Sequence, residues 1–374
     1  MVGLAVTGLL VAGLPLAMVW MSSDPNKFRK LAWTTAFLTF DLIVFGAFTR
    51  LTDSGLGCPD WPGCYGAANP FLAHEQIVAA ETLLPTGPVT VVKAWIEMIH
   101  RYLAMGIGVL ITALMLTAWI QWRKTRNAVF VPVMPTMLFL CVCVQGAFGA
   151  WTVTLKLQPV IVTIHLLLGM LLMGMITWQG MRADGGSDTA EVQAAPSPEF
   201  FRPTGSLQTL TVASAVILFV QIALGGWVST NYATLACIDF PLCNGKVVPE
   251  MDFEHGFTLW RELGKTAAGH YLPFSALTAI HWVHRNFAFV VLALVGYTAW
   301  RAAAHAPLRK VAVLIGAVLA FQALSGIATV YFSFPLTIAV LHNAGAALLV
   351  LLVTMLNYKT KYRLSAPAQA RQHT

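Results

Sequence analysis

Four histidines lie at matched positions inside long apolar stretches of the chain. His100 and His165 lie in the first half of the sequence, and His284 and His342 lie in the second. Each follows the outer start of its apolar segment by about 5–10 residues, so a helical rise of about 1.5 Å per residue predicts similar depths in a membrane. Two imidazoles that face each other across a helical bundle can serve as axial ligands of a heme iron. A lone membrane histidine more often packs or hydrogen-bonds, but four at matched depth favour ligation, and these four are the predicted iron ligands.

An arginine directly follows the first histidine of each pair. Arg101 follows His100, and Arg285 follows His284, so both arginines are expected near the outer membrane surface. Heme propionates carry negative charge, and a guanidinium at this depth can bind them. The alternative is that each arginine only extends its charged end toward the lipid headgroups.

The two halves differ at the position three residues before this histidine. Glu97 precedes His100, whereas His281 precedes His284. Because residues at i and i+3 share one face of a helix, each lies on the same face as its histidine. A carboxylate there can position water or move protons, although a salt bridge from Glu97 to Arg101 is the alternative. This difference predicts a reactive N-terminal half and an electron-carrying C-terminal half.

The composition is that of a membrane protein. Of the 374 residues, 57% are hydrophobic and only 10% are charged, and the mean hydropathy is +0.70. A soluble domain carries far more charge, and the segments lack the alternation of a membrane β-strand. We therefore expect an all-α polytopic membrane protein with lipid around it. Helices of ~20 residues are predicted near 1–20, 31–49, 95–121, 129–150, 158–181, 207–229, 273–300, 309–331 and 335–357.

The basic residues predict the orientation of these helices. The net charge is +7, but most Lys and Arg outside the helices cluster in alternate connections, which marks those connections as cytoplasmic rather than marking a nucleic-acid partner. The long loops near 50–95 and 230–272 then face outward, and the C-terminus is cytoplasmic. Residues 1–20 have neither a basic start nor a small-residue cleavage site, so an extra N-terminal helix is expected rather than a signal peptide. The absence of an Arg-rich transit peptide favours the bacterial plasma membrane.

An internal repeat organises the chain into two halves. Its best-matched members, 179 positions apart, are Gly46 with Gly225, Cys58 with Cys237, Asp60 with Asp239, Pro62 with Pro241, Cys64 with Cys243 and Gly66 with Gly245. Further matches, 177 apart, are Gln145 with Gln322, Gly149 with Gly326 and His165 with His342. Four helices repeated as four predict two pseudo-symmetric four-helix bundles with the same orientation, which together hold eight core transmembrane helices.

The repeat predicts the following organisation: 1–30 as the extra N-terminal segment with a cytoplasmic turn, 31–181 as the N-terminal half with the substrate site, 182–206 as a cytoplasmic linker, 207–358 as the C-terminal half, and 359–374 as a cytoplasmic tail. Asp41, midway along an apolar segment, corresponds to Val220 and so has no counterpart. A proton relay and a simple hydrogen bond to a neighbouring helix are equally good explanations of this carboxylate.

Four cysteines lie in the predicted outer loops. Their spacing is Cys-x5-Cys in both loops, which predicts the disulfides Cys58–Cys64 and Cys237–Cys243 in an oxidising compartment. A metal site is the alternative, but two thiols without further ligands make a poor zinc set.

Taken together, these motifs resemble the heme A synthase family. The resemblance rests on the runs Glu97 to Arg101 and His281 to Arg285, on His165 and His342, and on the Gly-Leu-Gly sequence before Cys58, and it covers roughly 30–360. It implies that His284 and His342 hold a heme b. It also implies that heme O, the substrate, is handled between His100 and His165 beside Glu97, where a porphyrin methyl group is oxidised stepwise to a formyl group.

The resemblance also implies partners, and three other classes of protein are alternatives to it. A heme O synthase would supply the substrate, an electron donor such as ferredoxin or quinol would exchange electrons, and a homo-oligomer is compatible with these residues. A diheme cytochrome b of quinone electron transfer would share the histidines but does not explain Glu97. A membrane thiol oxidase usually needs a Cys-x-x-Cys pair, and a non-catalytic heme transporter has no use for Glu97 beside a fixed second heme.

Overall fold

The chain folds into a bundle of long helices. A computed structural model describes residues 2–185 and 205–362, and within these ranges it contains helices but no strands. Nine helices of the described ranges are long and apolar enough to cross a membrane. They are α1 (Val2–Trp20), α2 (Lys27–Leu51), α4 (Val91–Thr125), α5 (Val133–Thr154), α6 (Pro159–Gly185), α7 (Gly205–Thr230), α9 (Phe274–Ala303), α10 (Ala306–Tyr331) and α11 (Leu336–Tyr362). The predicted all-α polytopic membrane fold is confirmed.

Every predicted apolar segment forms one of these helices, and two short helices were not predicted. These are α3 (His74–Leu83) and α8 (Phe253–Gly256), which lie in the two long loops. The predicted linker at 182–206 falls mostly outside the described residues, since α6 continues to Gly185 and α7 begins at Gly205. The predicted tail at 359–374 overlaps the end of α11, and its residues 363–374 lie outside the described part of the chain.

Local sequence explains where the helices begin and end. The Asn26 side chain accepts from the backbone N–H of Arg29 at 2.9 Å, and Thr90 does the same for Lys93 at 3.2 Å, so α2 and α4 each begin at a capping residue. Arg123 and Lys124 lie in the last turn of α4, where positive charge interacts favourably with the helix dipole.

Helices α2, α6, α7 and α11 form the centre of the bundle. Helix α11 packs on the other three, and α6 also packs on α2 and α7. Because lipid tails are as apolar as the core, close packing and hydrogen bonds must hold such helices together. Met170 and Met173 of α6 lie in one buried cluster with residues of α7 and α11. The Asn357 amide of α11 donates to the Thr211 carbonyl of α7 at 2.9 Å.

Residues at matched positions of the repeat contact each other at the outer ends of α2 and α7. Arg50 donates to the backbone carbonyl of Ser229 at 2.6 Å, and the Tyr232 hydroxyl donates to Asp53 at 2.7 Å. The two residues within each pair are 179 positions apart, which is the offset of the repeat. Two equivalent residues can touch only near the axis that relates them, so these contacts indicate a pseudo-two-fold axis between α2 and α7.

The N-terminal helix packs against α4 through small residues. A β-carbon at Gly8 would lie 3.0 Å from the β-carbon of Met105, and one at Gly106 would lie 2.7 Å from a methyl carbon of Val11. Small residues let two membrane helices approach closely, so α1 is an integral part of the bundle.

Candidate active site

The first histidine of each pair lies against a glycine of a neighbouring helix. His100 of α4 faces Gly46 of α2, where an added β-carbon would lie 2.9 Å from the ring Nε2. His284 of α9 faces Gly225 of α7, where an added β-carbon would lie 2.9 Å from the ring Cε1. Gly46 and Gly225 are matched positions of the repeat, and each leaves the space that an imidazole ring occupies.

The second histidine of each pair has the same kind of neighbour. A β-carbon at Gly149 of α5 would lie 3.2 Å from Cε1 of His165 in α6, and one at Gly326 of α10 would lie 3.3 Å from Cε1 of His342 in α11. Glycine at these positions therefore permits a ring position that alanine would crowd. These contacts join different helices, so spacing along the sequence does not connect these glycines with particular histidines.

The structure brings the histidines together in the predicted pairs. His100 and His165 are close enough for their charges to interact, and so are His284 and His342. All four residues are only partly buried. Each half therefore places two imidazoles from two helices within range of each other's charge.

Polar side chains contact three of the four rings. The Gln221 amide lies 3.2 Å from Nδ1 of His284, and the Ser325 hydroxyl lies 2.8 Å from Nδ1 of His342. In the N-terminal half, the Gln145 amide lies 3.5 Å from Nε2 of His165. The His100 ring instead stacks near Phe45, with 6.4 Å between ring centroids. Gln221 and Ser325 were not singled out from the sequence.

Glu97 connects its helix to the first disulfide loop. It is only 4% exposed, its Oε2 accepts from the backbone N–H of Cys58 at 2.8 Å, and its Oε1 forms an ion pair with Arg101. The salt bridge that the sequence left as an alternative is therefore present. Arg101 also donates to the carbonyls of Asp60 at 2.9 Å and Gly63 at 2.5 Å, so the loop occupies much of its guanidinium.

The second half repeats this arrangement with different chemistry. His281 is 5% exposed, and its Nδ1 accepts from the backbone N–H of Cys237 at 3.2 Å. Arg285 donates to the carbonyl of Leu242 at 3.0 Å through one nitrogen. Its other terminal nitrogen, Nη1, is buried without a hydrogen-bond partner among the described residues. Arg285 thus keeps an unused donor, whereas Arg101 is heavily engaged by its loop.

The two disulfide loops have the same internal structure. Disulfides join Cys58 to Cys64 and Cys237 to Cys243, as the sequence predicted. The Asp60 carboxylate accepts from the backbone N–H groups of residues 65 and 66 at 2.6 and 2.7 Å. Asp239 does the same for residues 244 and 245 at 2.5 and 2.9 Å. The matched aspartates therefore hold matched turns above the two histidine pairs.

Asp41 lies in α2 with its side chain exposed. It is one turn from Phe45, the residue that stacks near His100, and residues four apart share a helix face. The carboxylate therefore lies on the side of α2 that bears the first histidine centre.

The residues present fit a heme in each half. Two imidazoles are a common axial ligand set for heme iron, and the glycines leave space for the rings that would carry it. Nη1 of Arg285, the residue next to His284, is buried without a partner in the described part of the chain. Buried polar atoms normally have partners, so this donor is suited to a bound group. Together, fold and site define a multi-pass helical membrane protein with two paired-histidine centres beneath disulfide-closed loops.

Comparison with known proteins gives the family. Residues 29–354 match the family model COX15-CtaA, described as cytochrome oxidase assembly protein. The chain is 35% identical over 347 residues to a heme A synthase of Shewanella oneidensis, covering 91% of this chain and 99% of the relative. Heme A synthases of Chelativorans sp. and Rhizorhabdus wittichii are 29% and 27% identical, covering 82% and 88% of this chain and 83% and 92% of the relatives. The chain belongs to the COX15-CtaA family of cytochrome oxidase assembly proteins.

Proposed function

We propose that this chain is a heme A synthase, an oxidoreductase that converts heme O to heme A by stepwise oxidation of a porphyrin methyl group to a formyl group. Family membership and the three heme A synthase relatives support this proposal. The observation that carries it is the difference between two otherwise matched centres. Glu97 and His281 hold equivalent loops, but only Glu97 brings a carboxylate to its histidine pair.

In the C-terminal half, His284 and His342 would hold a heme b through their ring nitrogens. A bound heme b supplies one-electron transfer. Arg285 has a buried N–H group available for a propionate, and its other nitrogen holds the loop at Leu242. The chain's own part in this half is to fix two imidazoles and one guanidinium around the cofactor.

In the N-terminal half, His100 and His165 would bind the substrate heme O, with Glu97 beside them. In the structure, Arg101 pairs with Oε1 of Glu97, and the backbone N–H of Cys58 donates to Oε2. Each carboxylate oxygen has two lone pairs, so Oε2 can accept a proton while it holds the Cys58 N–H. Burial beneath this loop also limits the access of bulk water to the carboxylate.

We also propose the setting of the enzyme. The basic clusters support a bacterial plasma membrane location with the cysteine loops outside and the C-terminus in the cytoplasm. A heme O synthase and an electron donor such as ferredoxin or quinol are the expected partners. Reduction of intact cells with an impermeant phosphine, followed by an impermeant maleimide, should label the loop cysteines. Labelling that requires permeabilised cells would reverse the orientation.

The activity can be tested by co-expression with a source of heme O, followed by extraction and chromatography of the hemes. The proposal predicts heme A, with the hydroxylated intermediate beside it. The rival diheme cytochrome b would share the histidine pairs and would leave heme O unchanged. Heme O that accumulates beside a full complement of heme b in folded protein would contradict the synthase and favour that rival.

A further inference from the structure

We propose that Ser325 is a positioning residue that makes the C-terminal centre a permanent heme site, and that the N-terminal centre exchanges its heme because it lacks this serine. This inference rests on the proposed function, in which heme b stays bound while heme O enters and heme A leaves. It concerns the groups that hold the imidazoles, since both halves offer the same pair of histidines.

Ser325 fixes the ring of His342. The serine is 5% exposed, and its hydroxyl oxygen lies 2.8 Å from Nδ1 of His342. The hydroxyl proton can go to the Gln322 carbonyl at 3.2 Å, which leaves the oxygen free to accept from an Nδ1–H group. A neutral imidazole with its proton on Nδ1 presents a lone pair on Nε2. The contact therefore favours the tautomer that binds iron through Nε2.

Gln221 contacts His284 in a different way. Its amide nitrogen donates to the backbone carbonyl of this histidine at 3.2 Å and lies 3.2 Å from Nδ1. Turning the amide would place its oxygen against that carbonyl oxygen. Gln221 therefore holds the backbone of His284 and does not favour the tautomer that carries its proton on Nδ1.

The N-terminal half has apolar residues at both of these positions. The repeat offset of 179 places Leu42 opposite Gln221, and the offset of 177 places Phe148 opposite Ser325. Within the described part of the chain, Nδ1 of His165 is buried without a partner. The nearby Gln145 amide lies 3.5 Å from Nε2, the nitrogen that an iron would need. His165 must therefore leave this weak contact to bind iron, and its far side is not held.

This difference has a direct thermodynamic consequence. A hydrogen bond to the far nitrogen of a ligating histidine fixes its orientation and raises its basicity, and its loss typically costs about 10–100-fold in metal affinity. Such a bond favours a cofactor that stays, and its absence favours a ligand that must come and go. The two centres can thus have one ligand set and different residence times.

The experiment compares heme release from purified, heme b-loaded protein. Apomyoglobin in excess captures released heme, and absorbance gives the rate. We expect Ser325→Ala to release heme b about 10–100-fold faster than the unchanged protein. The midpoint potential of the remaining heme b should rise, since a less basic imidazole stabilises the oxidised iron less. Ser325→Thr, which keeps the hydroxyl, should restore both properties.

Thr329→Val provides a matched control on the same helix. The Thr329 hydroxyl donates to the Gly326 carbonyl at 2.7 Å, so this variant loses a hydroxyl near the site that does not contact His342. Its release rate and potential should match those of the unchanged protein. Unchanged release and potential in Ser325→Ala would overturn the inference. Failure of the proposed function is distinguishable, because His342→Ala would then leave heme b unaffected or heme O would not be converted at all.

Discussion

The backbone N–H of Cys58 donates to the Glu97 carboxylate over 2.8 Å, across 39 residues of sequence and between an outer loop and α4. His281 accepts from Cys237 in the corresponding place. Both residues therefore hold a loop, and this role needs only a hydrogen-bond acceptor. The carboxylate adds a negative charge, so the proposed chemistry depends on the feature that the two residues do not share.

The assignment of heme b to the C-terminal half predicts unequal effects of two histidine substitutions. His342→Ala should remove the tightly bound heme b and its low-spin spectrum, because one axial ligand is lost. His100→Ala should retain that heme, because this ring belongs to the other pair. Heme content per protein and the reduced-minus-oxidised spectrum measure both. A purified His342→Ala protein with unchanged low-spin heme would refute the assignment.

The glycine neighbours predict a steric effect. Gly225→Ala places a methyl group 2.9 Å from the unshifted His284 ring, so the ring must move and heme b binding should fall. Gly316→Ala is the matched control, since no heavy atom lies within 4 Å of its added carbon. It should bind heme normally and gain up to roughly 1 kcal/mol of helix stability. Equal heme content in the two variants would show that the Gly225 contact does not position the ring.

The two disulfides predict how many cysteine thiols react with a maleimide. Under non-reducing conditions, a maleimide should label at most Cys141 and Cys143, the two free cysteines of the chain. Cys58→Ser should destabilise its outer loop by about 2 kcal/mol, the value for a short closed loop, and should affect heme b less. Mass spectrometry counts the labels. Full labelling of all four loop thiols in protein from oxidising membranes would argue against the bridges.

The sequence predicts helices and the repeat well, because both depend on local composition or fixed spacing. The apolar segment near 95–121 and the i, i+3 relation of Glu97 to His100 are examples. It does not predict contacts between distant segments. The hydrogen bonds from Cys58 to Glu97 and from Ser325 to His342 depend on how a loop or helix packs, and α3 is too short and weakly patterned to stand out.

The most direct test that the two halves have different roles is to replace Glu97 and His281, the residues that accept from the two loops. Glu97→Gln and His281→Gln both keep an oxygen that can accept from the loop N–H, and both should fold and hold heme b. Only Glu97→Gln removes a proton acceptor from the substrate centre.

The measurement is the amount of heme A and hydroxylated heme O formed per bound heme b during co-expression with a heme O source. Loss of a general base typically lowers a rate about 10²–10⁴-fold, so Glu97→Gln should show a steep fall in product. His281→Gln should stay near the unchanged protein. Normal product per heme b in Glu97→Gln would contradict the account and leave Glu97 as a structural partner of Arg101 and the Cys58 loop.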